Sequence, residues 1–196
     1  MTGLRIGLPK GRLRERSTHL AAAIATAGID AVVYSLRLQD IPGLVATGHL
    51  DAGVTGEEWI AESGAVVDEL LDLHWYSIRL SLIARDPDFD LDAPVSGVTV
   101  ASEYPNLARR YIAQHTRNAV RVIPTHGSTE TYVPSLASAA IDCVETGDTL
   151  RARGLVAVDD LMRCSVVLIA RPGLTLPEEL LEAAGRTIGN YRLENA

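Results

Sequence analysis

The chain has 196 residues, enough for one large α/β domain or two small lobes, and its 47% hydrophobic and 22% charged residues provide a sizeable core. A net charge of -7 leaves no basic stripe for nucleic acid and no patch for an anionic membrane surface. No apolar run reaches the ~18 residues of a membrane span and the first residues lack a signal-peptide core, so a cytoplasmic protein is expected.

In chain order, Leu4-Arg5-Ile6-Gly7-Leu8-Pro9 reads as a buried strand. Lys10-Gly11-Arg12 then turns into a helix that carries Leu13, Leu20 and Ile24 on one face and ends at Gly28. Residues 31–36 form a second strand, and Asp40-Ile41-Pro42 opens a short helix with Asp40 as its N-cap and Gly48 after its end. Residues 51–56 are a short strand running into the next helix. This β/α alternation is the pattern of a mostly parallel sheet. A strand at 78–83 precedes the acidic, Pro-containing linker 86–94. A second series follows, with strands at 98–101, 120–123 and 139–144 and a helix over about 104–116 that buries Leu107, Ala108, Tyr111 and Ile112. The strand 164–169 returns to the first lobe, and a last helix begins near Pro177. The expected architecture is α/β, two βαβ lobes with a central cleft. Lobe I takes 1–84 plus 165–196, and lobe II takes 85–164.

Chemistry concentrates at Asp142-Cys143-Val144-Glu145-Thr146-Gly147-Asp148-Thr149-Leu150. A buried strand stops, a turn of small residues follows, and a helix begins. The N–H groups of such a turn form an anion site, Thr146 and Thr149 add hydroxyl donors, and Gly147 permits close approach or positive φ. The acids ahead of the turn suit sugar hydroxyls. Phosphate in the loop and ribose on the acids describe a phosphoribosyl group, while an ordinary capped turn is the plainer reading of the same residues. Seventeen of the 18 basic residues are Arg, and the single Lys is Lys10, a compact charge at the end of the first strand. Cys143 and Cys164 lie in apolar stretches without metal-ligand spacing. The five His residues are scattered, and Ser/His/Asp or Cys/His arrangements for nucleophilic catalysis are absent. Glu103 and Arg109-Arg110 read as a solvated helix face, and Trp59, Trp75 and Tyr76 as core or interface.

From Leu4 to about Ala170 the chain resembles the short-form catalytic subunit of ATP phosphoribosyltransferase, a histidine-biosynthesis family. The motifs that carry the resemblance are Leu8-Pro9-Lys10-Gly11-Arg12-Leu13; Asp40-Ile41-Pro42 with Gly48 and Asp51; Glu69 to Leu73; Ala101 to Asn106; Gly127-Ser128-Thr129-Glu130; and the Asp142 to Leu150 loop with Gly154-Leu155. The resemblance implies a fold like a type II periplasmic binding protein and Mg²⁺-dependent transfer of a 5-phosphoribosyl group from phosphoribosyl pyrophosphate (PRPP) to N1 of ATP. It places Asp142, Val144, Glu145, Thr146, Gly147, Asp148, Thr149 and Leu150 on the ribose 5-phosphate and Lys10, Gly11 and Arg12 toward the pyrophosphate. Lys10 and Arg12 become the catalytic cations, and Gly11, Arg37, Asp40 and Glu130 lie near the nucleotide. No metal ligand is identified in the sequence. The implied assembly is a homodimer or larger, with a histidyl-tRNA-synthetase-like regulatory subunit.

The chain departs from the family pattern at four places. Residues 29–35 cross directly where the family has a hairpin-sized segment with a basic Arg-Lys-Leu stretch. Asp148 puts a carboxylate in the anion loop, which opposes phosphate unless Mg²⁺ or an Arg compensates. Thr131-Tyr132-Val133-Pro134 replaces a small, apolar run, and Ser138 stands where an acid is usual. A paralogue acting on another nitrogen heterocycle and a non-catalytic ligand-binding homologue are the alternatives these changes raise.

Overall fold

Leu4–Pro9 (β1) pairs in parallel with Ala31–Leu36 (β2) on one side and Ala52–Gly56 (β3) on the other. In this computed structural model, residues 3–93 and 97–188 are described. The linker position Pro94, the tail 189–196 assigned to lobe I, and Met1 and Thr2 lie outside them. Two compact units divide the chain, Met1–Ser77 with Ser165–Ala196, and Ile78–Cys164. The first division falls earlier than the expected 84/85, because one long strand, Asp68–Ala84 (β4), passes through it. Residues 86–93 of the acidic linker are a loop inside the second unit.

In the first unit the strand order is β2-β1-β3-β8-β4, where β8 is Val156–Ala170, antiparallel to β3. The β/α alternation gives the parallel pairings of β1, β2 and β3, and antiparallel β8 makes the sheet mixed. Arg14–Thr26 (α1) links β1 to β2, burying Leu20 and Ile24, and Gly28 at φ +68 ends the connection. The Ser17 hydroxyl donates to the Pro9 carbonyl at 2.7 Å, which ties α1 to the end of β1 and fixes the turn over 10–13. Ile41–Ala46 (α2) lies on the sheet through a core of Ile41, Val45, Leu50, Val167 and Ile169. Each such side chain contributes roughly 1.5–3 kcal/mol by leaving water. The approach is close at Gly53, where a Cβ would strike Ile41 Cγ2 and sit 3.1 Å from the Gly7 carbonyl oxygen. Asp40 occupies the N-cap position of α2, yet its side chain makes no capping bond; it is already in helical geometry after a short 3₁₀ turn. Glu57–Ser63 (α3) follows β3 directly, and Glu178–Gly185 (α6) packs beside α1 with Leu180, Ala183 and Ala184 inward. β2 leaves Val32, Val33 and Tyr34 exposed.

β4 begins ten residues before the expected strand. Its period-two alternation is broken, because His74 sits at φ +50 with its N–H held by the Asp72 carboxylate at 2.9 Å. That kink turns two successive residues, Trp75 and Tyr76, inward; the Trp75 indole donates to the Thr187 carbonyl at 2.9 Å.

The second unit orders its strands β8-β4-β7-β5-β6. Thr99–Ser102 (β5) lies parallel to both Arg121–Pro124 (β6) and Ala139–Val144 (β7), and β7 is antiparallel to β4. Pro105–His115 (α4) buries Ala108, Tyr111 and Ile112, leaving Leu107 partly exposed. Ser81 and Arg79 on β4 both reach the Asp160 carboxylate on β8, at 2.7 and 2.9 Å. Ile83, Val133, Ala140, Val144, Leu150 and Leu155 form the core under the 144–150 loop.

Candidate active site

The loop 142–150 is pinned at both ends. Val144 at the end of β7 and Leu150 in Asp148–Ala152 (α5) belong to one buried cluster, so the turn between them is raised on a rigid base. Gly147 is at φ +78, where a side chain is strained, and an added Cβ would meet Arg151 Nη1 at 3.4 Å and Val144 Cγ1 at 3.9 Å. The helix expected after the turn is only five residues long, so the turn's own N–H groups and hydroxyls, rather than a helix dipole, are what an anion would meet.

The misplaced charge of Asp148 is compensated inside the loop. The Thr146 hydroxyl donates to Asp148 Oδ2 at 2.7 Å and the Arg151 guanidinium pairs with Oδ1; these two partners hold the Asp148 carboxyl below its ordinary pKa. Arg151 is a residue that the sequence reading misses; its spacing of three residues from Asp148 on a helix is the available signal.

Asp142 lies on β7 beneath the loop. Its Oδ1 accepts the Cys143 N–H at 2.7 Å, and burial, reinforced by the charges of Glu103 and Glu130, raises its carboxyl to about 6. Glu130 is paired with Arg153 at 3.5 Å. Glu103 is half-buried beside His126 and Asp142, with its carboxyl raised by burial, so it is not the solvated face expected. The structure thus brings Asp142, Glu130 and Glu103 together near the loop. Thr125 and Thr129 share a buried 2.7 Å hydroxyl contact under the same segment.

A second group gathers in the first unit, where parallel β1 and β2 end side by side. The Lys10 N–H donates to the Leu36 carbonyl at 2.8 Å and the Asp40 N–H to the Arg37 carbonyl at 3.0 Å, bringing Lys10, Gly11 and Arg12 next to Arg37 and Asp40. Gly11 is at φ +78, and Lys10, Arg12, Arg37 and Asp40 are exposed. The Arg12 guanidinium lies over the Tyr76 ring, 4.6 Å from its centroid. Tyr76 in turn donates to Glu58 at 2.5 Å; the sequence marks Tyr76 only as core or interface and does not single out Glu58. Among the described residues, no group of three or more His, Cys, Asp or Glu side chains could hold a metal ion, and no helix is long and apolar enough to cross a membrane.

Comparison with known proteins points the same way. Residues 37–188 match the HisG family, ATP phosphoribosyltransferase. An ATP phosphoribosyltransferase of Methanopyrus kandleri is 40% identical over 74% of this chain, and one of Desulforudis audaxviator is 35% identical over 98%. The chain spans about half of the first of these (52%) and 74% of the second, and 63–65% of several others. In Deinococcus radiodurans the relative is 35% identical, covering 91% of this chain and 86% of its own length. Among solved structures, a chain of the ATP phosphoribosyl transferase (HisG:HisZ) complex from Thermotoga maritima superposes with a TM-score of 0.82 at 22% identity, covering 94% of this chain and 97% of that one. Arginine-bound ArgBP from T. maritima gives 0.58 at 15% identity, covering 94% and 93%, which places the α/β fold with the periplasmic binding proteins. The chain belongs to the ATP phosphoribosyltransferase family.

Proposed function

We propose that this protein transfers a 5-phosphoribosyl group from PRPP to N1 of ATP in the cytoplasm, the first step of histidine biosynthesis. The observation that carries the reading is the 142–150 loop, held on the Val144–Leu150 core with Gly147 at φ +78, together with family membership. The 5-phosphate sits against the N–H groups and hydroxyls of 146–149, and the Asp142 carboxylate accepts from a ribose hydroxyl. The C1–oxygen bond to pyrophosphate breaks through an oxocarbenium-like state as the adenine N1 lone pair forms the new N–C1 bond. That lone pair is already nucleophilic, so the reaction requires no strong general base. Leaving-group charge is the main demand, and Lys10 and Arg12 meet it electrostatically, with Gly11 giving close approach. Arg37, Asp40 and Glu130 serve the nucleotide. Magnesium enters as the counter-ion that such polyanionic substrates carry.

A regulatory subunit like the partner named for the T. maritima structure, and a homodimer or larger assembly, complete the proposal. The test is a PRPP-dependent assay with ATP and a panel of nitrogen heterocycles, with and without a histidyl-tRNA-synthetase-like partner, products read by mass. Phosphoribosyl-ATP as the product is expected. PRPP turned over only with another heterocycle, or bound and never turned over, overturns the reading. Light scattering at micromolar concentration should give a mass above that of one chain.

A further inference from the structure

Glu58 stands in the first turn of α3, where a carboxylate ordinarily faces water and complements the helix N-terminus. Here it is 1% exposed. Its Oε1 receives the Tyr76 hydroxyl at 2.5 Å, and among the described residues its Oε2 has no hydrogen-bond partner. A buried carboxyl so thinly satisfied is costly, so its place calls for a physical reason. The pair is sealed by Gly56, where any Cβ would collide with the Tyr76 hydroxyl and both Glu58 oxygens, so the pocket has no room for a ligand. What the pair does reach is Tyr76's ring, which is buried and carries the Arg12 guanidinium 4.6 Å from its centroid. Burial raises the Glu58 carboxyl above its ordinary pKa, while the Tyr76 hydroxyl and the Arg12 charge act the other way.

The backbone serves the same arrangement. Tyr76 points inward because of the kink at His74, and Arg12 is held at the end of β1 by the turn that Ser17 fixes. An exposed Arg samples many rotamers, and each must be given up when it binds an anion. A guanidinium resting on an aromatic face has already lost most of that freedom, and a phenol that donates its proton to a carboxyl has a more electron-rich ring for the cation.

We infer that Glu58 and Tyr76 are positioning residues: Glu58 anchors the Tyr76 hydroxyl, and the Tyr76 ring holds the Arg12 guanidinium ready for the anionic leaving group. The inference rests on the proposed role of Arg12 and adds two residues to it.

The test is a double-mutant cycle on the full chain, with its partner if turnover requires one. Tyr76→Phe keeps the ring and loses the anchor, and Glu58→Ala loses the acceptor; each should lower kcat by about three- to tenfold while leaving KM for ATP unchanged. Glu58→Gln keeps an acceptor oxygen and should recover most of the loss. In an Arg12→Ala background, Tyr76→Phe should have no further effect. The Arg12 Nε–H resonance, shifted by the ring current in the parent, should move toward its free position in Tyr76→Phe and Glu58→Ala. Melting curves confirm that the variants fold; where Glu58→Ala does not, Tyr76→Phe carries the cycle. If Tyr76→Phe costs as much without Arg12 as with it, or if the Nε–H signal is the same in Tyr76→Phe as in the parent, the inference is overturned while the role of Arg12 stands. If Arg12→Ala turns over PRPP as fast as the parent, the role of Arg12 falls and the inference with it.

Discussion

Arg151 reaches back three residues along α5 to the carboxylate of Asp148, so that charge is neutralised from within its own turn. Both groups are exposed, with side chains 68% and 72% accessible, so the pair is a local switch of charge rather than a source of stability. A phosphate arriving at the turn competes with Asp148 for Arg151 and for the Thr146 hydroxyl.

Asp148→Asn should therefore tighten PRPP by about three- to tenfold, because it removes a like charge and frees Arg151. Arg151→Ala should weaken PRPP by a similar factor, since it leaves Asp148 uncompensated. Calorimetry at low and high salt checks both, and the two effects should shrink together as salt rises. Weaker PRPP binding in Asp148→Asn would mean that the carboxylate itself organises the ligand.

Gly147 sets the shape of that turn. Gly147→Val asks a β-branched residue to sit at φ +78, at a strain of about 1–2 kcal/mol, and crowds the path to the N–H groups. PRPP binding should be lost while unfolding stays cooperative with a modest drop in Tm. Gly147→Ala should fall between the two. Unchanged PRPP affinity in Gly147→Val would remove the phosphate from this loop.

Local patterns in the sequence determine local elements, so β1, β2, β7 and the helix after Lys10 fall where apolar runs and their Gly, Ser and Pro boundaries put them. The loop is legible for the same reason: a strand end, a Gly and two Thr hydroxyls are contiguous. What stays hidden is set by distance along the chain or by a single backbone angle. Half of β4 escapes a sequence reading because one positive φ at His74 reverses the alternation. A capping bond from Asp40 is suggested by residue type alone, and a 3₁₀ turn ahead of α2 removes the geometry it needs. Glu103 looks like helix surface and is drawn in beside Asp142, 39 positions away, by the β5–β7 pairing. Tyr76 looks like ordinary core, and Glu58 like a helix-surface acid, until the fold joins them and brings Arg12 over the ring.

Asp142 makes stability depend on pH in an unusual direction. Its carboxyl titrates near 6 in the folded protein against an ordinary 3.8, with burial the main cause and Glu103 and Glu130 adding to it. Between these values the folded state binds more protons than the unfolded one, so stability is highest below pH 4 as far as this group is concerned and falls as pH rises through 6. The full span is up to about 3 kcal/mol. Asp142→Asn should flatten that decline in denaturant melts from pH 4 to 7. PRPP affinity should run the other way, rising with pH through 6 as the ribose hydroxyl gains an ionised acceptor. A parent chain whose stability rises over the same range would show that Asp142 is solvated.

The cations of the first unit decide whether the chemistry is inherited intact. Residues 29–35 cross directly into β2, without the basic segment that the family resemblance leads one to expect there, so the proposed function asks Lys10 and Arg12 to carry more of the leaving-group charge. Lys10→Ala and Arg12→Ala should each lower kcat by roughly 10²–10³, the range for removing one preorganised donor. The interaction strengthens as the pyrophosphate departs, so PRPP affinity should fall much less than kcat. Arg12→Lys should recover part of the rate, because an ammonium keeps the charge while giving up the planar stacking on Tyr76. Measuring kcat and PRPP affinity side by side, with ATP and with the best alternative heterocycle, separates the cases. A loss confined to kcat with ATP supports pyrophosphate stabilisation by these two residues. A loss confined to PRPP affinity makes them binding groups only, and full activity in both variants would move the catalytic charge elsewhere in the chain.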